Sequence, residues 1–258
     1  MTKKENDKFI SSNILEGMTS IDALIKSREK GTNSRAIEKI FYSKDKEKSK
    51  RRELSYLKRK SAIHGFSIEA VDNDTIESMT IGNTHGGIIA LCGERHIPKL
   101  DISHITEDGF YVIIEGIEDP YNFGYSLRSL YAAGVTGIIL TERNWMGAAG
   151  VVCRASAGAS ELFEMYVSSP EVAVDIFKDK GYSIVCAEKD DSESLYTTNL
   201  KFPLLLIIGG EKRGISSSVL EKADKKIHID YGRNFPLALS AASASAIIAF
   251  EIMRQNLN

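Results

Sequence analysis

The chain predicts an α/β protein in two parts, and three features carry that reading. Continuous apolar runs of strand length, FYVIIEG, VTGIIL, YSIVCA and PLLLIIGG, alternate with segments of helical period. Strands that are apolar on both sides belong to parallel sheets covered on both faces. A polar stretch of weak periodicity, GERHIPKLDISHITEDG at 93–109, divides the chain. The length of 258 residues, with 43 % apolar and 26 % charged content, is enough for two cores. The expected boundaries are a first domain over 1–95, a linker over 96–108 and a second domain over 109–258.

In the first part, Thr19 followed three residues later by Asp22 marks a helix start, and Ile21, Leu24 and Ile25 recur at helical spacing. A β-rich run at 37–42 precedes a basic helix that ends near Gly65, with Leu54, Leu57 and Ile63 on its apolar side. The strand FSIEAV, a small helix at 75–79 and the strand IIALC complete this part. In the second part, FYVIIEG leads to a helix over 122–133, then VTGIIL, ELFEMYV and a helix near 172–178. YSIVCA, PLLLIIGG, a short helix after Ile215, KIHID and a long final helix follow.

No apolar stretch approaches the roughly 18 residues of a membrane-spanning helix. The charged start MTKKENDKF lacks a secretory pattern, so a cytoplasmic location is expected. Cys92, Cys153 and Cys186 are few, odd in number and scattered, which predicts reduced core thiols rather than disulfides or a zinc cluster. The five histidines show no metal-ligand spacing, and no metal is expected. Ser156 sits in ASAGA rather than G-x-S-x-G, so it lacks the turn of a hydrolase nucleophile.

The net charge of −2 conceals a local excess. Fourteen basic residues stand against five acidic ones over 26–60, a balance of +9. Lys50, Arg51, Arg52, Lys58, Arg59 and Lys60 lie on or beside the basic helix and suit phosphate contacts. A solvated helix surface is the ordinary explanation of such a run.

Ligands of parallel sheets collect in loops beyond the carboxyl ends of strands, and three loops qualify here. In EDPYNFGYSLR, Asn122 is placed to start a helix with Arg128 six positions on; an N-cap and a surface arginine are the plain alternative. In GGEKRGIS, Gly209 and Gly214 have the G-x-x-x-x-G spacing of a phosphate loop. Ile215 stands where that loop needs Lys, which disfavours nucleotide hydrolysis. The third loop, DYGRNFPLALS, runs into an Ala/Ser-rich helix whose small side chains permit close approach.

Together and in this order, the three loops resemble the motifs of the SpoU/TrmH family of RNA ribose 2'-O-methyltransferases, within the SPOUT superfamily. The first motif, Asn-x-Gly-x-x-x-Arg after Asp-Pro, is present through Asn122, Gly124 and Arg128, and ASAGA at 155–159 resembles a further family segment. The second, Gly-Asn-Glu-x-x-Gly, corresponds to Gly209, Gly210, Glu211 and Gly214. The third, Ile-Pro-Met leading to Ser-Leu-Asn, corresponds to Ile229, Asp230, Tyr231 and then Ala238, Leu239, Ser240. The chain departs from the pattern at Gly210, Asp230, Tyr231 and Ser240. The first 95 residues resemble the family's L30e-like RNA-binding domain, with ILEGMTSIDALI near its start and THGGIIA near its end.

The resemblance implies an L30e-like α/β/α domain followed by a SPOUT α/β domain with a deep trefoil knot, an exception to the rule against knots. It implies S-adenosylmethionine as cofactor, held by Gly209, Ile229 and Leu239 with Glu211, Gly214 and Ser240 as neighbours. It further implies a homodimer formed through the second domain, and RNA contact through the basic helix. Ribosomal RNA is the favoured substrate and transfer RNA the alternative. An RNA-binding or ribosome-assembly protein that keeps the fold without catalysis is the competing class, motivated by the changes at Gly210 and Ser240. Under the enzymatic reading, Arg128 orients the ribose hydroxyl and stabilises developing negative charge, since a guanidinium is a poor base. Asn122 holds that loop in place.

Overall fold

The computed structural model describes residues 13–82, 84–117, 119–141, 148–210 and 214–257. Two compact units result: residues 1–96 with 145–162, and residues 97–144 with 163–258.

In the first unit, β1 (Ile14–Glu16), β2 (Ile37–Ser43), β3 (Ser67–Val71) and β4 (Ile88–Cys92) form a sheet in the order β1-β4-β2-β3. The β1/β4 and β4/β2 pairs are antiparallel and β2/β3 is parallel. Two helices, α1 (Gly17–Glu29) and α2 (Arg51–His64), place Ile21, Leu24, Ile25, Leu54 and Leu57 in the core on one face of the sheet. The short α3 (Asn73–Met79) puts Ile76 against Ile14 and Ile89 in a second cluster.

Two local expectations are corrected. Helix α1 begins at Gly17, not near Thr19, with Glu16 at its N-cap and no side-chain cap. The Glu16 carboxylate is committed elsewhere, accepting from the Ile81 N–H and the Arg154 guanidinium, each at 2.8 Å. Ile63 is 70 % exposed rather than buried, because only Leu54 and Leu57 of α2 turn towards the sheet.

Residues 148–162 pack with this first unit, although they follow the strand Gly137–Leu140 of the second unit in sequence. They carry α5 (Ala149–Ala155) and α6 (Ala159–Leu162). Two glycines permit the close approach: a Cβ on Gly158 of the ASAGA stretch would lie 2.5 Å from Ala23 Cβ, and one on Gly150 2.4 Å from the Ile14 carbonyl oxygen. Glu161 is the polar anchor. It is 2 % exposed, accepts from Asn33 Nδ2 at 2.8 Å and faces Arg35 Nη1 at 3.4 Å, while Arg35, 1 % exposed, also donates to the Gly93 carbonyl.

The second unit is a seven-stranded, wholly parallel sheet. Its strands are β5 (Phe110–Glu115), β6 (Gly137–Leu140), β7 (Glu164–Val167), β8 (Ser183–Ala187), β9 (Glu193–Ser194), β10 (Leu204–Gly209) and β11 (Lys225–His228), in the order β7-β6-β5-β10-β8-β11-β9. The central strands β5 and β10 are buried almost throughout, as their unbroken apolar sequences require. One face packs on α7 (Pro170–Asp179), where Phe177 meets Tyr111 and Tyr182 at 5.0 Å between ring centroids. Three further helices belong to this unit: α4 (Pro120–Ala132), the short α8 (Ser217–Leu220) and α9 (Ala241–Asn256), with α4 and α9 packed together.

Helix α4 starts at Pro120, with the Asp119 carboxylate accepting from the Tyr121 N–H at 2.9 Å. Asn122 therefore lies inside the first turn rather than starting the helix. Residues 97–108 are ordered against the second sheet: Pro98 and Leu100 exchange backbone hydrogen bonds with Val167, and the His104 ring stacks on Tyr166 at 4.6 Å. All three cysteines are buried and unpaired, with burial pushing each thiol up to about 12. Among the described residues no helix is long and apolar enough to cross a membrane.

Removal of one partner from a buried ion pair leaves an uncompensated charge and costs about 3–5 kcal/mol. Glu161→Ala is therefore expected to lower unfolding free energy by about that amount in denaturant titrations, with Glu161→Gln losing less. An unchanged midpoint for Glu161→Ala would show that the anchor carries no stability.

Candidate functional site

All strands of the second sheet run in parallel, so their carboxyl ends share one edge. Its tightest point lies where β5 and β10 finish side by side, Gly209 opposite Glu115. A Cβ on Gly209 would lie 2.6 Å from the Gly214 carbonyl carbon, and one on Gly210 only 2.2 Å from the Gly116 oxygen. Backbone meets backbone there and no side chain fits. Gly214, at φ +63°, donates its N–H to the Gly210 oxygen at 3.2 Å and closes the loop. The Glu115 carboxylate accepts from the Ser216 N–H at 3.4 Å, and its burial raises its pKa.

Beside this closure lies a cleft of about 500 Å³ at the ends of β8, β10 and β11. Gly209, Ile229 and Leu239 all line it, so three of the residues singled out from sequence converge. The segment 231–239 folds over as one wall, held by a hydrogen bond from the Leu239 N–H to the Tyr231 hydroxyl at 3.1 Å. Ile248 of α9 supplies further apolar surface, and Lys189, Asp230 and Arg233 supply polar groups. Asp230 is fixed by a hydrogen bond from the Ser194 hydroxyl and by His228 Nε2 at 3.4 Å.

The other predicted residues sit elsewhere. Ser240 does not line the cleft; its hydroxyl caps α9, accepting from the Ser243 N–H at 3.2 Å. Gly214 belongs to the closure, and Glu211 lies outside the described residues. Neither Asn122 nor Arg128 lines the cleft. Asn122 is half-buried and Arg128 exposed on α4, and six residues at about 100° each set them a third of a turn apart. Arg128 instead shares the exposed face of α4 with Tyr125.

Sequence reasoning missed the contribution of β8, whose end places Ala187, Glu188 and Lys189 in the cleft. The available signal was its position at the end of the apolar run YSIVCA.

On the first unit, Arg51, Arg52, Lys58 and Arg59 are exposed. The seven-residue spacing of Arg51 with Lys58 and of Arg52 with Arg59 gathers them into one stripe of α2, away from Leu54 and Leu57. Lys60 is occupied by Glu29 at 2.5 Å and Lys50 by Glu53 at 2.9 Å.

Residues 109–250 match the SpoU rRNA Methylase family. Over 247 residues the chain is 28 % identical to the 23S rRNA (guanosine-2'-O-)-methyltransferase RlmB of Shewanella oneidensis, covering 94 % of this chain and 97 % of that one. The AdoMet-bound rRNA methyltransferase of Sinorhizobium meliloti superposes with a TM-score of 0.78 at 21 % identity, over 100 % of this chain and 92 % of that one. The SpoU methyltransferase AviRb of Streptomyces viridochromogenes gives 0.74 at 19 % identity, over 98 % of this chain and 97 % of the other. The mixed α/β fold is thus the one shared by these methyltransferases, and the chain belongs to the SpoU rRNA methylase family.

Proposed function

We propose that the protein transfers the methyl group of S-adenosylmethionine to a ribose 2'-hydroxyl of structured RNA, with ribosomal RNA favoured over transfer RNA. The observation that carries this reading is the apolar cleft in which Gly209, Ile229 and Leu239 converge at the strand ends of a SpoU-family fold. Its volume, about 500 Å³, lies in the usual range for small-molecule sites.

The cleft suits the cofactor chemically. Ile229, Leu239 and Ile248 offer apolar walls to an adenine ring, and strand-end backbone groups near Gly209 offer donors and acceptors to its edge. Lys189, Arg233 and Asp230 can meet the charged amino-acid end. Glu211 and Gly214 are assigned to the same loop and Ser240 to the start of α9, where capping fixes the adjoining Leu239. The bound cofactor supplies a sulfonium methyl group open to attack by an oxygen nucleophile.

Arg128 is assigned to the RNA. Permanently charged, it orients the 2'-hydroxyl and a neighbouring phosphate and stabilises negative charge as the proton leaves, with that phosphate as acceptor. Asn122, in the first turn of α4, holds the loop after β5. The stripe of Arg51, Arg52, Lys58 and Arg59 binds phosphates of the same RNA.

The finer architecture follows the family expectation of an L30e-like first domain and a SPOUT domain with a trefoil knot, except that residues 97–108 pack on the second sheet rather than forming a linker and 148–162 join the first unit. The backbone closure at Gly209, Gly210 and Gly214 supports the knot. Homodimerisation through α4 and α9 is supported by the exposed Tyr125 and Phe250, 49 % and 42 % accessible, on two helices already packed together. Ribosomal RNA as substrate places the enzyme in the cytoplasm.

Two substitutions test this reading. Arg128→Ala is expected to lower methyl transfer to ribosomal RNA by about 10²–10³-fold, as for loss of one charge-stabilising donor, while cofactor binding by calorimetry is retained. Turnover equal to wild type in a folded variant would remove Arg128 from the mechanism. Gly210→Ala forces a Cβ against the Gly116 carbonyl; overpacking of this kind costs about 1–3 kcal/mol. A lower unfolding midpoint together with weaker S-adenosylmethionine binding is expected, and wild-type values for both would separate the closure from the cleft.

A further inference from the structure

Two of the residues that line the cleft, Ile229 and Leu239, stand at opposite ends of one segment. The chain between them is exposed throughout 231–238, so burial does not fix its position. Polar side chains act at both ends instead, and they fall where the sequence departs from the Ile-Pro-Met pattern. At one end the Asp230 carboxylate is held on both oxygens. One accepts from the Ser194 hydroxyl, and the other lies 3.4 Å from His228 Nε2. The His228 ring is oriented in turn by Ser192, whose hydroxyl is 3.0 Å from Nδ1. At the other end the Tyr231 hydroxyl accepts from the Leu239 N–H at 3.1 Å.

The sheet brings these groups together. Ser194 of β9 pairs with His228 of β11, and the Leu195 N–H donates to the His228 carbonyl at 2.8 Å. Residues two apart on an extended chain share a face, so His228 and Asp230 lie side by side next to Ser194. The Tyr196 N–H donates to Ser194 Oγ at 3.2 Å, which occupies that oxygen as an acceptor and turns its proton to the carboxylate. Ser194 does not line the cleft. Any influence it has on a bound molecule therefore passes through Asp230.

We propose that Ser194, His228 and Tyr231 are positioning residues for S-adenosylmethionine, clasping the two ends of the wall formed by 231–239 so that Ile229 and Leu239 stay in place. The ligand in this assignment rests on the methyl-transfer reading; the clasp itself does not. A proline at 230 would fix φ covalently, whereas here two hydrogen bonds to one carboxylate hold the same residue. With both oxygens engaged, Asp230 serves the cofactor mainly through the backbone it holds. When the clasp is loosened, the wall is in place for only part of the time, and apparent affinity falls by that fraction. The backbone at Asp230 has a negative φ, and among the described residues its N–H donates to no backbone carbonyl, so proline is compatible with the position.

The test uses the full-length protein without RNA. Hydrogen–deuterium exchange of residues 229–239 is followed in the absence of cofactor, and S-adenosylmethionine binding is measured by calorimetry. Ser194→Ala and Tyr231→Phe each remove one hydroxyl; each should speed exchange in the segment and weaken binding about 3–10-fold, the range for one lost hydrogen bond. Asp230→Ala should weaken binding further. Asp230→Pro should bind within about twofold of wild type, because the ring restores the restriction on the backbone. In that background neither Ser194→Ala nor His228→Gln should cost anything more. Binding by Asp230→Pro as weak as that of Asp230→Ala would assign the carboxylate to direct contact with the cofactor and overturn the clasp. A loss in Ser194→Ala that persists beside Asp230→Pro would overturn it too, as would unaltered affinity and exchange in both hydroxyl variants. Absence of S-adenosylmethionine binding by the wild type would overturn the methyl-transfer reading and the cofactor role together, while faster exchange in the variants would still establish the clasp.

Discussion

The second unit depends on a place where no side chain can exist. At the ends of β5 and β10 the backbone of Gly116 sits against Gly210 and that of Gly214 against Gly209, at separations that exclude even a Cβ. Gly214 donates its N–H to the Gly210 oxygen across this point, and the neighbouring ends of β8 and β11 line the cleft. The cleft is the space that this closure does not fill. Its floor is strand-end backbone, its wall is the segment 231–239, and its apolar lining combines Ile208 and Ile227 of the sheet with Ile229, Leu239 and Ile248 beyond it.

Three departures from the family pattern have local physical accounts. An Asn at position 210 would drive its Cβ into the Gly116 carbonyl, and Gly is the residue this backbone accepts. Ser at 240 keeps a short oxygen-bearing side chain where α9 needs an N-cap, a position that Ser and Asn fill about equally well. Asp at 230 is held by Ser194 and His228, so its carboxylate brings its own partners. These changes therefore fall on positions governed by backbone packing, capping and local hydrogen bonding. The cleft-lining Gly209, Ile229 and Leu239 keep the family residues, which weighs against loss of the cofactor site.

Much of this was legible in the sequence because strand periodicity is local. The apolar runs FYVIIEG and PLLLIIGG could only be buried strands, and their ends marked where ligands collect. The positions of Gly209, Ile229 and Leu239 followed from motif order. Contacts between distant segments were not legible: Glu161 meets Asn33 across 128 positions, and the helix that carries it leaves the second sheet to pack beside α1. Nor did periodicity show that Ile63 faces solvent, since a helix flanked by one shallow sheet buries only the residues pointing inward.

The exposed Arg51, Arg52, Lys58 and Arg59 form one stripe of α2 in the first unit, and the cleft beside the glycine closure belongs to the second. The most direct measurement is the mapping of ribose methylation in 23S ribosomal RNA from cells lacking the gene, before and after incubation with the purified protein and S-adenosylmethionine. One 2'-hydroxyl that is unmodified in the mutant cells and becomes methylated in vitro is expected. Intact ribose methylation throughout that RNA in the mutant, with no site gained on incubation, would contradict it.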